Sequence, residues 1–194
     1  MDKNRFPKDF FWGTATSSYQ IEGAPALDGK GPSVWDSFSH KEGNIKNGDT
    51  GDVACDHYHL WPKDIELLEN LGVDSYRFSI SWPRILPSGK ETKPNQKGLD
   101  FYSRLIDNLL EKNITPFITL NHWDIPQGLE DEGGWTERMM VDAFVEYSYH
   151  TSKHLGDRVR HWITHNEPWC VSHIGYVAGH KPPGLKNNWA KSLS

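Results

Sequence analysis

The run Trp162–Trp169, WITHNEPW, places a carboxamide and a carboxylate at the end of an apolar, β-rich approach through Val159, Trp162, Ile163 and Thr164. Pro168 cannot donate to a sheet ladder, and a proline biases the residue before it toward extended backbone. Glu167 is therefore predicted to stand, extended, at the carboxyl end of a strand with Asn166 beside it. In a parallel α/β barrel that rim is where reacting groups sit. A carboxyl group there exchanges protons, and a neighbouring amide hydrogen-bonds its substrate. The bland reading is a strand exit whose polar residues meet water. Asn-Glu-Pro alone does not choose between the two.

Other reactive side chains group less well. His57 and His59 are two apart on a predicted helix and point to different sides, so they do not share a metal easily. His161 and His165 fall on one strand face, but no third ligand is evident and H-E-x-x-H is absent. GKGPSVW, from Gly29, lacks the spacing and the Ser/Thr of a phosphate-binding loop. Asp131, Glu132 and Glu137 read as solvated loop and helix-start charges. The two cysteines, Cys55 and Cys170, match no metal or redox spacing and are expected as reduced, buried thiols. No metal and no organic cofactor are expected.

Net charge is −5 over 194 residues, with no Lys/Arg run, so neither nucleic acid nor an anionic membrane surface is an expected partner. No apolar segment approaches the roughly 20 residues that span a bilayer. The start, MDKNRFPKDFFWG, shows no apolar core followed by small residues, which suggests no secretory signal and a cytoplasmic location. Nine tryptophans are many for so hydrophilic a chain; buried packing and platforms for sugar rings both account for them.

The elements that must position Glu167 alternate. DFFWGTATS (residues 9–17) reads as a strand ending in hydroxyl residues, followed by a long loop from about Gly23 to Asp52. CDHYHLWPKDIELLENLG has helical periodicity through Tyr58, Leu60, Ile65, Leu67, Leu68 and Leu71, with Gly72 as its stop. VDSYRFSISW is a second strand. NQKGLDFYSRLIDNLLEKN is an amphipathic helix with Leu99, Tyr102, Leu105, Ile106, Leu109 and Leu110 on its apolar side. ITPFITLNHW is a third strand, and TERMMVDAFVEYSYHTSKHLG a helix capped by Thr136 and Gly156. RVRHWITHNE is the fourth strand, with a further helix beginning near Pro168. Four strand–helix repeats whose strands all end in polar residues predict an α/β fold: half of a (β/α)8 TIM barrel of about four βα units, one unit over residues 1–194. Such a half leaves two open sheet edges that need covering.

The motifs FFWGTATSSYQIEG, GDVACDHYHLWPKDIELLENLGVDSYRFSISWPRILPSG, NQKGLDFY, TLNHWDIPQGL, GGW and THNEPW follow one another along the chain. Together they resemble the N-terminal half of a glycoside hydrolase family one enzyme of the β-glucosidase type, whose barrel is about twice as long. The resemblance implies hydrolysis of terminal β-linked sugars with retention. It implies that Glu167 is the general acid/base and that Asn166 bonds the sugar 2-hydroxyl. Gln20, His122 and Trp123 would clamp the hydroxyls of the sugar being cleaved, and Arg77 would stand near the nucleophile as a fixed cation. His165 departs from an apolar residue in many relatives.

A retaining glycosidase needs a second carboxyl roughly 5 Å from the first. In this family it lies in a TENG-like motif of the second half, and the nearest string here, Glu69 to Leu71, lies inside a helix. The chain alone is therefore expected to be inactive unless a complementary C-terminal half, or a second copy, completes the barrel around a β-glycoside. The alternative is a non-catalytic half-barrel that self-associates or holds sugar weakly.

Overall fold

Residues 6–186 are described by the computed structural model. Four strands, β1 (Gly13–Ala15), β2 (Ser75–Ser79), β3 (Thr115–Asn121) and β4 (His161–His165), form one parallel sheet in chain order. In its register Ala15 pairs with Arg77, Arg77 with Phe117, and Phe117 with His161. Because side chains alternate along a strand, Ser75, Arg77 and Ser79 face one side of the sheet while Tyr76 and Phe78 face the other, toward the helices. Helices α1 (Val34–His40), α2 (His57–Leu71), α3 (Gln96–Glu111) and α4 (Met139–Leu155) lie between the strands. With the helix that follows β4, these make four consecutive βα units, so the predicted architecture is the observed one.

Several local details differ from expectation. The first strand is only three residues long, and the expected loop of residues 23–52 contains α1. The signal for α1 is a capping box: Ser33 Oγ accepts from Asp36 N, and the Asp36 carboxylate accepts from Ser33 N. Gly72 does end α2 in the left-handed region at φ 69°. Thr136 does not cap α4; the residue before the helix is Arg138, and the Thr136 hydroxyl donates to Gly133 O. After β4 a helix begins at Pro168, as expected, but it continues as a π-helix at Cys170–Ala178. Cys55 is exposed and Cys170 partly so, against the expected burial: the first lies in the loop before α2, the second faces Glu167.

The core lies between sheet and helices, where Tyr76, Phe78, Ile118 and Leu120 meet Ile65 and Leu68 of α2 and Leu99, Leu105, Ile106 and Leu109 of α3. Each such side chain contributes about 1.5–3 kcal/mol. The apolar stripes read from periodicity are wider than the packed ones. Leu67 and Leu71 are 60% and 68% exposed, and Leu60 and Leu110 also face solvent, because only the arc turned to the sheet has something to pack against. Of the tryptophans, Trp82 is fully buried, stacked on Tyr147 at 4.6 Å. Trp12 and Trp169 are largely exposed. Strand β4 has no buried residue, whereas β2 and β3 are mostly buried.

One buried ion pair ties the first two βα connections together. Arg84 Nε donates to Glu22 Oε2 at 3.1 Å, and Tyr102 of α3 donates its hydroxyl to Glu22 Oε1 at 2.6 Å. The guanidinium stands 4.1 Å from the centre of the Tyr58 ring of α2. Removing one partner of a buried pair leaves the other charge uncompensated, at a cost of about 3–5 kcal/mol. Arg84→Met should lower the unfolding free energy by about that amount in urea titrations, and Tyr102→Phe by about 1–3 kcal/mol.

Candidate active site

The carboxyl ends of the four strands carry the polar residues singled out above, held by bonds that run from strand to strand. Ser18, in the helical turn Ser18–Ile21 after β1, donates its N–H to Ser79 Oγ at 2.7 Å and its hydroxyl to Asp124 Oδ2 at 2.6 Å. Burial pushes the Asp124 carboxyl up to about 7. This chain of contacts joins the ends of β1, β2 and β3, and fixes the turn that carries Gln20.

Arg77 does the same one layer further in. Its Nε donates to Thr119 Oγ1 on β3 at 2.9 Å, and its Nη2 donates to Asn166 Oδ1 just beyond β4 at 2.7 Å. One guanidinium therefore spans three strands. Because the Asn166 carbonyl oxygen accepts from Arg77, the amide nitrogen is left to donate elsewhere. The Asn166 backbone is also tied: its N–H donates to Asn121 O at 2.9 Å, and its carbonyl accepts from Trp123 Nε1 at 2.8 Å.

Glu167 does not take the extended backbone expected of a residue before proline. Its φ is 44°, on the left-handed side. The chain must turn from β4 into the π-helix there, and the turn is closed by Cys170 N donating to Glu167 O at 2.9 Å. The thiol of Cys170 donates to Glu167 Oε2 at 3.1 Å. The Glu167 side chain is exposed. Trp123 also has a left-handed backbone, at φ 77°. Strained conformations of non-glycine residues concentrate at functional sites because surrounding contacts must hold them.

Gln20, His122 and Trp123 come together on a cleft of about 420 Å³, whose other walls include Tyr19, Trp35 and Lys181. Asn166 lines a separate cavity of about 220 Å³ with Asn121, Trp135 and His165. The bond from Trp123 Nε1 to Asn166 O lies between the two openings. Arg77 and Glu167 line neither but act electrostatically on His122. Burial, then the Arg77 cation and more weakly Lys181, push the His122 imidazole down to about 4, with Glu167 opposing. His122 is thus neutral at pH 7, with one nitrogen donating and one accepting, and its Nδ1 is buried without a hydrogen-bond partner.

Four of the six predicted residues therefore line two adjoining openings at one rim, while Arg77 reaches that rim through its bond to Asn166 and Glu167 follows Asn166 in the chain. Sequence reasoning missed Cys170 and Lys181. Neither has a local signal, since the first is recognised only by facing Glu167 and the second only by crossing to Trp123. His57 and His59 each pair with a nearby aspartate, Asp64 and Asp56. Among the described residues no group of three or more His, Cys, Asp or Glu side chains is arranged to hold a metal ion.

The family described as glycosyl hydrolase family 1 matches residues 2–194. A 1,4-beta-D-glucan glucohydrolase of Thermotoga neapolitana is 61% identical over 183 residues, which is 94% of this chain and 43% of that protein. Beta-glucosidase A of Thermotoga maritima is 58% identical over 187 residues, or 96% and 42%. The solved structure of a family 1 β-glucosidase from Thermotoga maritima superposes with a TM-score of 0.94 at 57% identity, covering 97% of this chain and 43% of that one. The chain spans less than half the length of these relatives, and its fold is half of their barrel.

With a folded value of about 4 against about 6.5 unfolded, His122 should show no imidazole titration between pH 8 and 5 by NMR. Arg77→Met should move its midpoint upward. The unfolded chain takes up the proton first, so the stability carried by neutral His122 is full above about pH 6.5 and is lost as pH falls toward 4. A midpoint near 6.5 would contradict the electrostatics described above.

Proposed function

Because this chain belongs to glycosyl hydrolase family 1, we propose that it carries the acid/base side of a retaining β-glycosidase site. The observation that carries this reading is the Arg77–Asn166 bond, which holds carboxamide and guanidinium in fixed orientation next to Glu167. Glu167 would protonate the glycosidic oxygen as the bond to the sugar breaks, and then take a proton from the water that releases the sugar. The free Asn166 amide N–H would donate to the sugar 2-oxygen, a contact that strengthens as positive charge develops on the ring. Gln20, neutral His122 and Trp123 would hold the remaining hydroxyls.

The nucleophilic carboxylate would come from a complementary C-terminal segment, with Arg77 beside it. An opposite charge at that distance keeps a carboxylate ionised and ready to attack. Open β4, with no buried residue, is the edge such a segment would extend. The Cys170 thiol bond to Glu167 must loosen each time Glu167 is protonated, since a carboxylic acid accepts less strongly than a carboxylate.

The test is hydrolysis of p-nitrophenyl β-glucoside by this chain, alone and mixed with the matching second-half polypeptide. Activity is expected only in the mixture. Glu167→Gln should reduce it by about 10²–10⁴, and more for an alkyl glucoside, whose leaving group needs the proton, than for the aryl one. A mixture shown to have assembled yet inactive would sink the reading and leave a sugar-binding or purely structural half-barrel.

A further inference from the structure

The cleft shared by Gln20, His122 and Trp123 contains a cation that the reading above leaves without a task. The Lys181 ammonium lies 3.8 Å from the centre of the Trp123 ring. Among the described residues it has no carboxylate or hydrogen-bond acceptor, and the indole is its partner. A strongly hydrated ammonium gives up water to sit there, and a ring face returns only part of that hydration.

The two partners differ in freedom. Trp123 is fixed through its Nε1 bond to Asn166 O and its constrained backbone. Lys181 hangs on a flexible four-carbon stem. A sugar that stacks on Trp123 must therefore displace the ammonium, not the indole. A neutral sugar offers the displaced charge only hydroxyl oxygens. An acidic one offers a counter-ion, and hydrogen bonds between charged groups are the stronger ones.

We propose that Lys181 is a specificity residue that favours β-glycosides bearing a carboxylate, by leaving the Trp123 face to pair with it. This rests on the assignment of Gln20, His122 and Trp123 to sugar binding. The charge balance selects a monoanion. Arg77 is committed to Thr119 and Asn166, Asp49 lines the same cleft, and Glu167 acts on it through His122, so a dianionic phosphate ester would meet one available ammonium and two carboxylates.

The experiment titrates the chain with methyl β-glucoside, methyl β-glucuronide and methyl β-glucoside 6-phosphate by ligand-observed NMR, at low and high salt. The glucuronide is expected to bind about tenfold more tightly than the glucoside, the difference between a charged and a neutral hydrogen bond. The preference should fade in salt, vanish in Lys181→Met and Lys181→Ala, and persist in Lys181→Arg, with circular dichroism confirming that each variant is folded. Equal affinities, binding of none of the three, a preference that survives Lys181→Met, or tighter binding of the phosphate would overturn the proposal. Complemented hydrolysis is scored separately. A glucuronide preference without hydrolysis leaves this inference standing and removes the catalytic one, and hydrolysis without the preference does the reverse.

Discussion

The buried Glu22–Arg84 pair is the constraint on which the upper rim depends. The two residues belong to different βα connections, and neither charge tolerates the interior alone. Tyr102 from α3 and Tyr58 from α2 close around them, so two helices and two loops are tied together at this pair. That arrangement places the turn bearing Gln20 against the end of β2, where Ser18 and Ser79 lock together and Asp124 reaches across from β3. The site is held from below by apolar packing and from behind by this polar lattice.

The candidate site side chains are placed by backbone that would not form by itself. Trp123 and Glu167 both adopt left-handed conformations, which a lone peptide disfavours for residues with a Cβ. Each is held by specific bonds: the Trp123 indole to Asn166 O, and the Glu167 carbonyl to Cys170 N. Local preference gives way to a tertiary contact at Trp123 and to the turn into the following helix at Glu167, while the strands and helices around them follow their local preferences closely.

The sheet is well enclosed at its centre and open at its ends. Strands β2 and β3 are mostly buried, but β1 and β4 are not, and Phe6, Phe10, Phe11 and Trp12 gather at the β1 side largely exposed. The related β-glucosidases are more than twice as long, and this chain superposes on less than half of one. Exposed aromatic and aliphatic surface of this kind is costly in water and favours a covering partner.

Much of this was legible in the residues themselves. Alternating periodicities of two and 3.6 placed four strands and three of the helices, because each element must bury one face and the spacing of apolar residues records which. The Pro168 stop and the Gly72 cap needed only local sterics. Motif order was enough to nominate Glu167, Asn166, Arg77, Gln20, His122 and Trp123. Other features belong to the tertiary structure alone. Nothing local indicates that Leu67 and Leu71 face solvent, that Arg77 orients Asn166, or that Lys181 covers Trp123. Each of these depends on groups brought together from distant parts of the chain, and periodicity carries no information about which distant surfaces will meet.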